Sequence, residues 1–527
     1  MGSPQSVDAK NIFAFDVRTG NPVTFNHSLN GQGLIIRANE AGTRLYVGGD
    51  FTTVDNVARG HIAAFDLTQA GAPLTAFNAR TDGQVRAFAL IDQKVYAGGN
   101  FRSSNGLPRQ LLAAYAAETG NLLTWAPDGG DSGYVWTMVA APDKSRVIAG
   151  GSFSTLNGVS AYGMGSLDAQ TGATLPWAAN QRLRAAGANG AINGLSTDGT
   201  AIYGSGYAFG SGATFEGTFS ADPTTGDVTW MNDCLGDTYE TFPMGGVLYS
   251  VGHEHNCSQV DGFPDTNPRS RWQNALAERI SPVTGTYSTT DAYGWNFIGM
   301  PYTGIQQWYP TLAFGSYTSA GQAAWTIGGN GDYLVLAGEF PRVNGKDQQA
   351  LARFPKRGVG PTAKPVIAGS ATPTPMPIGD GKVRVVFNAM YDRDDANLTY
   401  DVYRTNSATR VATISRQGAT FWSTPTLTFV DSGLTAGTQV RYQIRGRDAD
   451  GNAQWSAWSG YVTVTAGGPP PSPTASLHSA RATTGASARH PARPCSSTPS
   501  ATPTAPSPAR RSVSRAPSTA SPIPRPR

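Results

Sequence analysis

The sequence predicts an all-β chain, and three observations carry that expectation. Glycine supplies 63 residues and aromatics 10%, while charged residues make up only 14%, a balance that favours strands and turns over charge-rich surface helices. Apolar runs are short and are separated by Gly, Asn and Asp, with no long 3.6-residue periodicity. The same order of runs then recurs along the first two thirds of the chain. At 527 residues the chain exceeds what one hydrophobic core supports, so two or more domains are expected.

The repeat is plainest in Leu45-Tyr-Val-Gly-Gly-Asp-Phe51, His61-Ile-Ala-Ala-Phe-Asp66 and Leu74-Thr-Ala-Phe77. It returns in Val95-Tyr-Ala-Gly-Gly-Asn-Phe101 and Leu123-Thr-Trp125, in Val147-Ile-Ala-Gly-Gly-Ser-Phe153 and Leu175-Pro-Trp177, and in Leu334-Val-Leu-Ala-Gly-Glu-Phe340. Degenerate copies centre on Ile202-Tyr-Gly-Ser-Gly206 and Leu248-Tyr-Ser-Val-Gly252. Each copy offers four short strands in about 50 residues, the signature of a β-propeller blade rather than of a helical solenoid. The paired glycines are expected to allow close backbone approach or positive φ near a crowded hub. The aromatic residue after them packs between blades, and Asn-Gly and Thr-Gly make the tight turns.

Six copies run from Gln32 to Phe354, and Asn11-Ile-Phe-Ala-Phe-Asp16 with Val23-Thr-Phe25 reads as the second half of a seventh. Residues 1–357 are therefore expected to form a propeller of seven blades whose first blade is truncated, with a six-bladed ring plus an extra hairpin as the alternative. A chain that starts within a blade exposes an edge that closure normally covers. Met1 is expected not to be the natural start, and an export signal to have been lost with the missing half-blade.

Residues 358–377 read as a Pro, Thr and Gly linker, and the alternating runs of 378–466 as a second domain that could begin near 365. Lys382-Val-Arg-Val-Val-Phe387, Leu398-Thr-Tyr-Asp-Val-Tyr403 and Gln439-Val-Arg-Tyr-Gln-Ile-Arg445 are its clearest strands. The run Leu434 to Tyr442 resembles the fibronectin type III pattern, in which a Tyr opens the penultimate strand and bonds back to the preceding turn. The usual early Trp is Phe387 here. Trp455-Ser-Ala-Trp-Ser459 lies close in sequence to Arg441, Arg445 and Arg447. A stacked ladder of Trp455 and Trp458 with these three Arg is expected to stiffen the domain. Residues 467–527 hold Pro, Ser, Thr, Ala and eight Arg with no Lys and no acid. They read as a disordered tail or an out-of-frame stretch.

Without that tail the formal charge is 32 basic against 36 acidic residues, or −4, so a nucleic-acid partner is not expected. No run reaches the roughly 20 apolar residues of a transmembrane segment. Cys234 and Cys257 flank what reads as two strands and a turn, and a disulfide between them places the chain outside the cytosol, secreted or at the cell surface. A monomer is expected.

The Gly-Gly-x-Phe copies, together with Asn232-Asp-Cys234, Gly236-Asp-Thr-Tyr239, His253-Glu-His-Asn-Cys257, Phe263-Pro-Asp-Thr-Asn-Pro268 and Ala337-Gly-Glu-Phe340, resemble a family of secreted propellers from high-GC Gram-positive bacteria. The resemblance spans nearly all of residues 8–356. It implies a signal peptide, a propeller of unassigned activity, a fibronectin type III domain and, after it, a LamG-like domain.

Catalytic signatures are sparse: six His, no Gly-x-Ser-x-Gly, no phosphate-binding glycine loop and no His-Glu-x-x-His. A metal at His253 and His255 is the weaker alternative to two structural histidines, because a bridged Cys257 is no ligand. No cofactor is expected. Calcium is left open, with Asp261, Asp265 and Asn267 as oxygen donors. Glu216, Glu240, Glu254 and Glu278 are the acids available for glycoside cleavage. The unusually long spacing from Gly252 to Gly338 holds Tyr293, Trp295, Tyr302, Trp308 and Tyr309. Exposed, they would stack on sugar rings, and the competing reading is a satellite core. The expected function is therefore an extracellular binding or adhesion scaffold for polysaccharide or a cell-surface protein. A carbohydrate-active enzyme and a protein-binding scaffold are the alternatives.

Overall fold

A computed structural model describes residues 10–209, 212–359, 367–417 and 419–467. All but the first residue of the stretch assigned to a tail, 467–527, and residues 360–366 of the central linker lie outside the described residues. Strand accounts for 45% of the described residues and helix for 2%, so the all-β expectation holds.

Among the described residues, six antiparallel sheets of three or four strands follow one another along residues 33–355, with two-stranded ribbons between some of their strands. The first pairs Gly33–Ala38, Arg44–Gly49, Ile62–Asp66 and Ala72–Pro73 in sequence order. The third and fourth repeat that four-stranded order, while the second, fifth and sixth have three strands each. The first two strands of each sheet are joined by a short turn, whereas a small two-stranded ribbon, such as Thr53–Val54 with Val57–Ala58, interrupts the next connection in four of them. The first strands of successive sheets pack on one another in chain order, from Gly33–Ala38 to Ala324–Gly329. Separate apolar clusters fill the gaps between sheets. Val85, Phe88, Val95 and Phe77 join the first two, and Val135, Met138, Tyr96 and Trp125 the next two.

The two glycines of the repeat have different jobs. A Cβ on Gly48, Gly98 or Gly150 would lie 2.7, 2.4 or 2.8 Å from Val85, Val135 or Ile192 of the next sheet, so the first glycine sets how closely sheets stack. A Cβ on Gly49, Gly99 or Gly151 would lie 2.0, 1.9 or 2.0 Å from the carbonyl oxygen of Gln32, Gln84 or Tyr134. The second glycine thus makes room for the neighbouring backbone. None of these six has positive φ, so of the two reasons expected for glycine only close approach applies. Positive φ is used instead in the hairpin turns, as at Asn105 with Gly106 and Asn157 with Gly158. The aromatic after each pair, Phe51, Phe101, Phe153 or Phe340, is at most 1% exposed.

Residues 10–25 form a hairpin bridged at Phe15 and Pro22. Arg353 of the sixth sheet donates to the carbonyls of Val17 and Thr19 at 2.5 and 3.1 Å, and Phe25 packs on Phe65 of the first sheet. The hairpin therefore bridges the first and last sheets.

Beyond residue 366, Thr374–Gly379, Lys382–Asn388 and Thr426–Asp431 form one sheet, and Asn397–Arg404, Ala412–Gln417, Tyr442–Arg447 and Ala453–Trp455 another. Val383, Val385 and Phe387 of one interleave with Tyr400, Val402 and Ile444 of the other to make one core. Tyr442 donates its hydroxyl to the Asp431 carboxylate at 2.9 Å, closing the loop between those strands. Arg441 stacks 4.9 Å from the rings of Trp458 and Tyr461, and Arg445 lies 5.6 Å from Trp455. Arg447 does not join this ladder. It pairs at 3.0 Å with Asp401, whose buried carboxylate needs a charged partner more than an exposed indole does.

Candidate ligand-binding mouth

In each of the six sheets the register between first and second strand shifts by one residue at the same place. The extra residues are Leu34, Arg86, Trp136, Asn193, Tyr239 and Trp325. A β-bulge redirects a side chain out of the alternating pattern, and here it does so six times at one end of packed first strands. The facing second strands contribute Asp50, Asn100, Ser152, Tyr207, His253 and Glu339, each the residue after the glycine opposite the bulge.

These two tiers touch one another. The Arg86 guanidinium lies 5.9 Å from the Trp136 ring, which lies 6.4 Å from Tyr207, which in turn stacks on the exposed Phe209 at 6.0 Å. Across the mouth Tyr239 meets Trp325 at 4.5 Å and the edge of His253 at 6.2 Å. Trp325 donates to Glu339 at 3.3 Å, and His253 Nδ1 meets Gln322 at 3.0 Å. The Asn100 side-chain oxygen is buried without a protein partner. Aromatic planes beside unpaired polar atoms are what a sugar ring with its hydroxyls requires.

Below this mouth, the fourth and fifth sheets hold buried acids. Glu216 accepts from the Gly236 amide at 2.9 Å, yet burial pushes its carboxyl up to about 7. Burial and the facing Asp291 and Glu216 raise Asp233 well above the carboxylate range. Asp291 is raised by burial as well, and one oxygen of each of these two aspartates lacks a partner. Glu254 accepts from Thr238 at 3.0 Å and is pushed by burial to about 8. Glu278 is raised by burial too, but Thr218, Asn232 and Ser250 all donate to it, which makes it a structural acid. Glu240 is likewise engaged, accepting from the Ile327 amide at 3.0 Å. The Cys234–Cys257 disulfide is formed and ties the segment carrying Asp233 and Asp237 to the one carrying Glu254 and His255.

His253 and His255 do not share a site, because a second register shift between Val251 and Glu254 turns them apart. His253 faces Tyr239 and Gln322, while His255 Nδ1 lies 3.3 Å from Asp265 and Nε2 3.5 Å from the Tyr293 hydroxyl. Burial pushes His255 down to about 4, so it is neutral at pH 7. Asp265 is occupied by Arg269 at 3.0 Å rather than facing open space with Asp261 and Asn267.

The five aromatics of the long spacing do not form one exposed plane. Tyr309 is 2% exposed and lies beneath Phe421 and Trp422 of the second region, at 5.2 and 5.4 Å. Trp308 is wedged between Tyr249 and Phe354, and Tyr302 packs on Tyr287. Trp295 is half-buried against the same core. Of the five, only Tyr293, at 49%, is exposed. The segment completes the fifth sheet and seats the second region, and those contacts consume its aromatic surface.

No family model matches the chain. Exoglucanase B of Cellulomonas fimi is 28% identical over 278 residues, covering 51% of this chain and 23% of that protein. Chitinase D of Niallia circulans is 30% identical over 108 residues, covering 20% of this chain and 21% of that one. The chain thus spans about a quarter or less of the length of these curated relatives. Among solved structures, BamB from Moraxella catarrhalis aligns over 83% of this chain and 97% of its own, at 13% identity and a TM-score of 0.30. The designed protein Ika8 aligns over 83% and 87%, at 11% identity and a TM-score of 0.33.

Proposed function

We propose that the chain is an extracellular β-propeller carrying a fibronectin type III domain, and that it binds polysaccharide at the mouth ringed by the bulged residues. The observation that carries this reading is the ring itself. Trp136 and Trp325 bring partly exposed aromatic planes to one place, beside the buried Tyr207 and Tyr239, where Arg86, Asn100, His253 and Glu339 supply hydrogen-bonding groups. The disulfide and the partial relatives, one named an exoglucanase and the other a chitinase, support an extracellular, carbohydrate-associated role.

The test is retention of the full chain on a polysaccharide panel that includes β-glucan and chitin, read for both binding and released reducing sugar. Trp136→Ala and Trp325→Ala are each expected to weaken retention about 3- to 10-fold, the worth of one stacked ring. Trp458→Ala, on the second region, is expected to leave it unchanged. Glu216, held near neutrality beside two further acids, is the observation favouring a second reading as a glycoside-cleaving enzyme. Sugar released by the wild type and not by Glu216→Gln would establish that reading. A folded chain that neither binds nor cleaves would end the carbohydrate assignment and leave a protein-binding scaffold.

A further inference from the structure

The acidic residues of the second region point to a different chemistry. Asp392 and Asp395 lie before Asn397–Arg404, and Asp448 lies just after Tyr442–Arg447. One oxygen from each of the three falls within 4.8 Å of the others. Proximity of acids alone proves little, since exposed carboxylates often gather without consequence. The state of Asp392 is what matters here. Its side chain is fully buried, Oδ1 accepts from the Asp394 amide at 3.2 Å, and Oδ2 has no partner among the described residues. A buried carboxylate oxygen without a donor is costly, and the cost grows when other carboxylates face it.

The cations nearby do not relieve it. Arg357 pairs with Asp395 at 2.9 Å and Asp450 at 2.7 Å, along one edge of the group. Arg393 turns away, stacking 4.9 Å from Phe421 and donating to the Tyr309 carbonyl. Among the described residues, Asp448 accepts only from Asn452, through its amide at 2.9 Å and its side chain at 2.6 Å. Asp394 also faces Asp392, and Asp392 and Asp448 face Asp395, while of these four carboxylates only Asp395 pairs with Arg357. Asp394 and Asp450 are exposed, which leaves a path from solvent.

We propose that Asp392, Asp395 and Asp448 bind a calcium ion. Hard carboxylate oxygens with no nitrogen or sulfur donor suit Ca²⁺, whose flexible six- to eightfold shell accepts three protein oxygens and completes itself with water. So few protein ligands place the affinity near that of extracellular modules, about 10⁻⁴ to 10⁻³ M. The site also has a mechanical consequence. The Asp392 carbonyl accepts from the Gln307 side chain, and the Arg393 carbonyl accepts from the Tyr309 amide at 2.7 Å. The segment that would hold the ion is thus the one that seats the second region against the first.

The test uses the full chain, stripped with EDTA and titrated calorimetrically with CaCl₂, alongside its melting temperature. The wild type is expected to bind one Ca²⁺ per chain and to melt at least about 4 °C higher in excess Ca²⁺. Asp392→Asn with Asp448→Asn is expected to lose the binding and the calcium-dependent shift, yet to melt no lower than the wild type in EDTA, because the repulsion is relieved. Asp395→Asn, milder in its demand on the fold, is expected to weaken binding at least about tenfold. A folded wild type that binds no Ca²⁺ at about 10 mM overturns the proposal. Unchanged binding in the Asn variants, or equal affinity for Mg²⁺, overturns it as well.

Discussion

The first three sheets and the fourth and fifth share one plan and use it differently. In the first three, Gly-Gly pairs set sheet spacing to within a methyl group, and among the described residues no Asp or Glu before Glu216 is buried. Their acids sit in turns: Asp66 and Asp168 accept hydrogen bonds from Thr68 and Thr171 that hold both carboxyls below the usual range. In the fourth and fifth sheets the pair degenerates to Ser205-Gly206 and Val251-Gly252, and Glu216, Asp233, Glu254 and Glu278 lie inside. The bulge survives in both groups. The backbone device that aims side chains into the mouth is thus kept in every copy, while the inward charge chemistry is confined to the copies whose sequence has drifted.

The sharpest way to break that comparison is to add one methyl group in each kind of sheet. A Cβ on Gly99 would meet the Gln84 carbonyl oxygen at 1.9 Å and its carbon at 3.0 Å, whereas on Gly206 the Ala191 carbonyl oxygen is 2.9 Å away. Gly99→Ala is expected to cost on the order of 3 to 5 kcal/mol, or to prevent folding, and Gly206→Ala about 1 kcal/mol. Urea unfolding measures both. Equal costs would mean that the degenerate sheets are as tightly specified as the regular ones.

The acids of the two groups should respond to pH with opposite sign. Glu254 has a folded-state pKa of about 8, above its ordinary 4.5, so the fold favours its protonated form. Its stability contribution is complete below about pH 4.5 and is lost as pH rises toward 8. Relative to wild type, Glu254→Gln is therefore expected to gain stability between pH 5 and pH 9, by on the order of 2 to 4 kcal/mol. Asp168 is depressed by its turn hydrogen bonds, so its contribution is present at neutral pH and lost as pH falls through the folded value. Asp168→Asn is expected to destabilise at pH 7 and to match wild type in strong acid. Melting temperature across pH reads both slopes, and slopes of the same sign would remove the distinction.

Much of the first group was legible in the sequence because its constraints fall on residues that cannot vary. Gly-Gly and the buried Phe recur in register, since only glycine fits beside a carbonyl at 2 Å, and the positive-φ turns read Asp55-Asn56, Asn105-Gly106 and Asn157-Gly158. The mouth was harder to see. Its bulged positions read Leu, Arg, Trp, Asn, Tyr and Trp, five residue types in six places, and they lie on the strand before the conspicuous motif. Asp50, Asn100, Ser152 and Glu339 did stand inside that motif. A polar residue between a packed glycine and a buried Phe was the available signal, because only a side chain leaving the sheet can occupy that place. The aromatics around Tyr302 and Trp308 were legible as a cluster but not as exposed or buried. The burial of Tyr309 depends on Phe421 and Trp422, more than a hundred residues later, and no local pattern encodes that docking.

The second region offers the smallest and most exacting test, because its three neighbouring arginines looked alike in sequence and do unlike things. Arg447 neutralises Asp401, whose side chain is 1% exposed, while Arg441 lies over Trp458 and Tyr461 at the surface. Arg447→Ala leaves Asp401 with Thr413 at 2.9 Å and the longer contact to Arg410 at 3.6 Å. A cost of about 1 to 3 kcal/mol is expected, as for a buried charge that keeps part of its pairing. Arg441→Ala removes only exposed stacking and is expected to cost about 0.5 to 1 kcal/mol, insensitive to salt. If the two substitutions cost the same in chemical denaturation, the carboxylate is not what holds Arg447, and the ladder expected from the sequence would extend to all three.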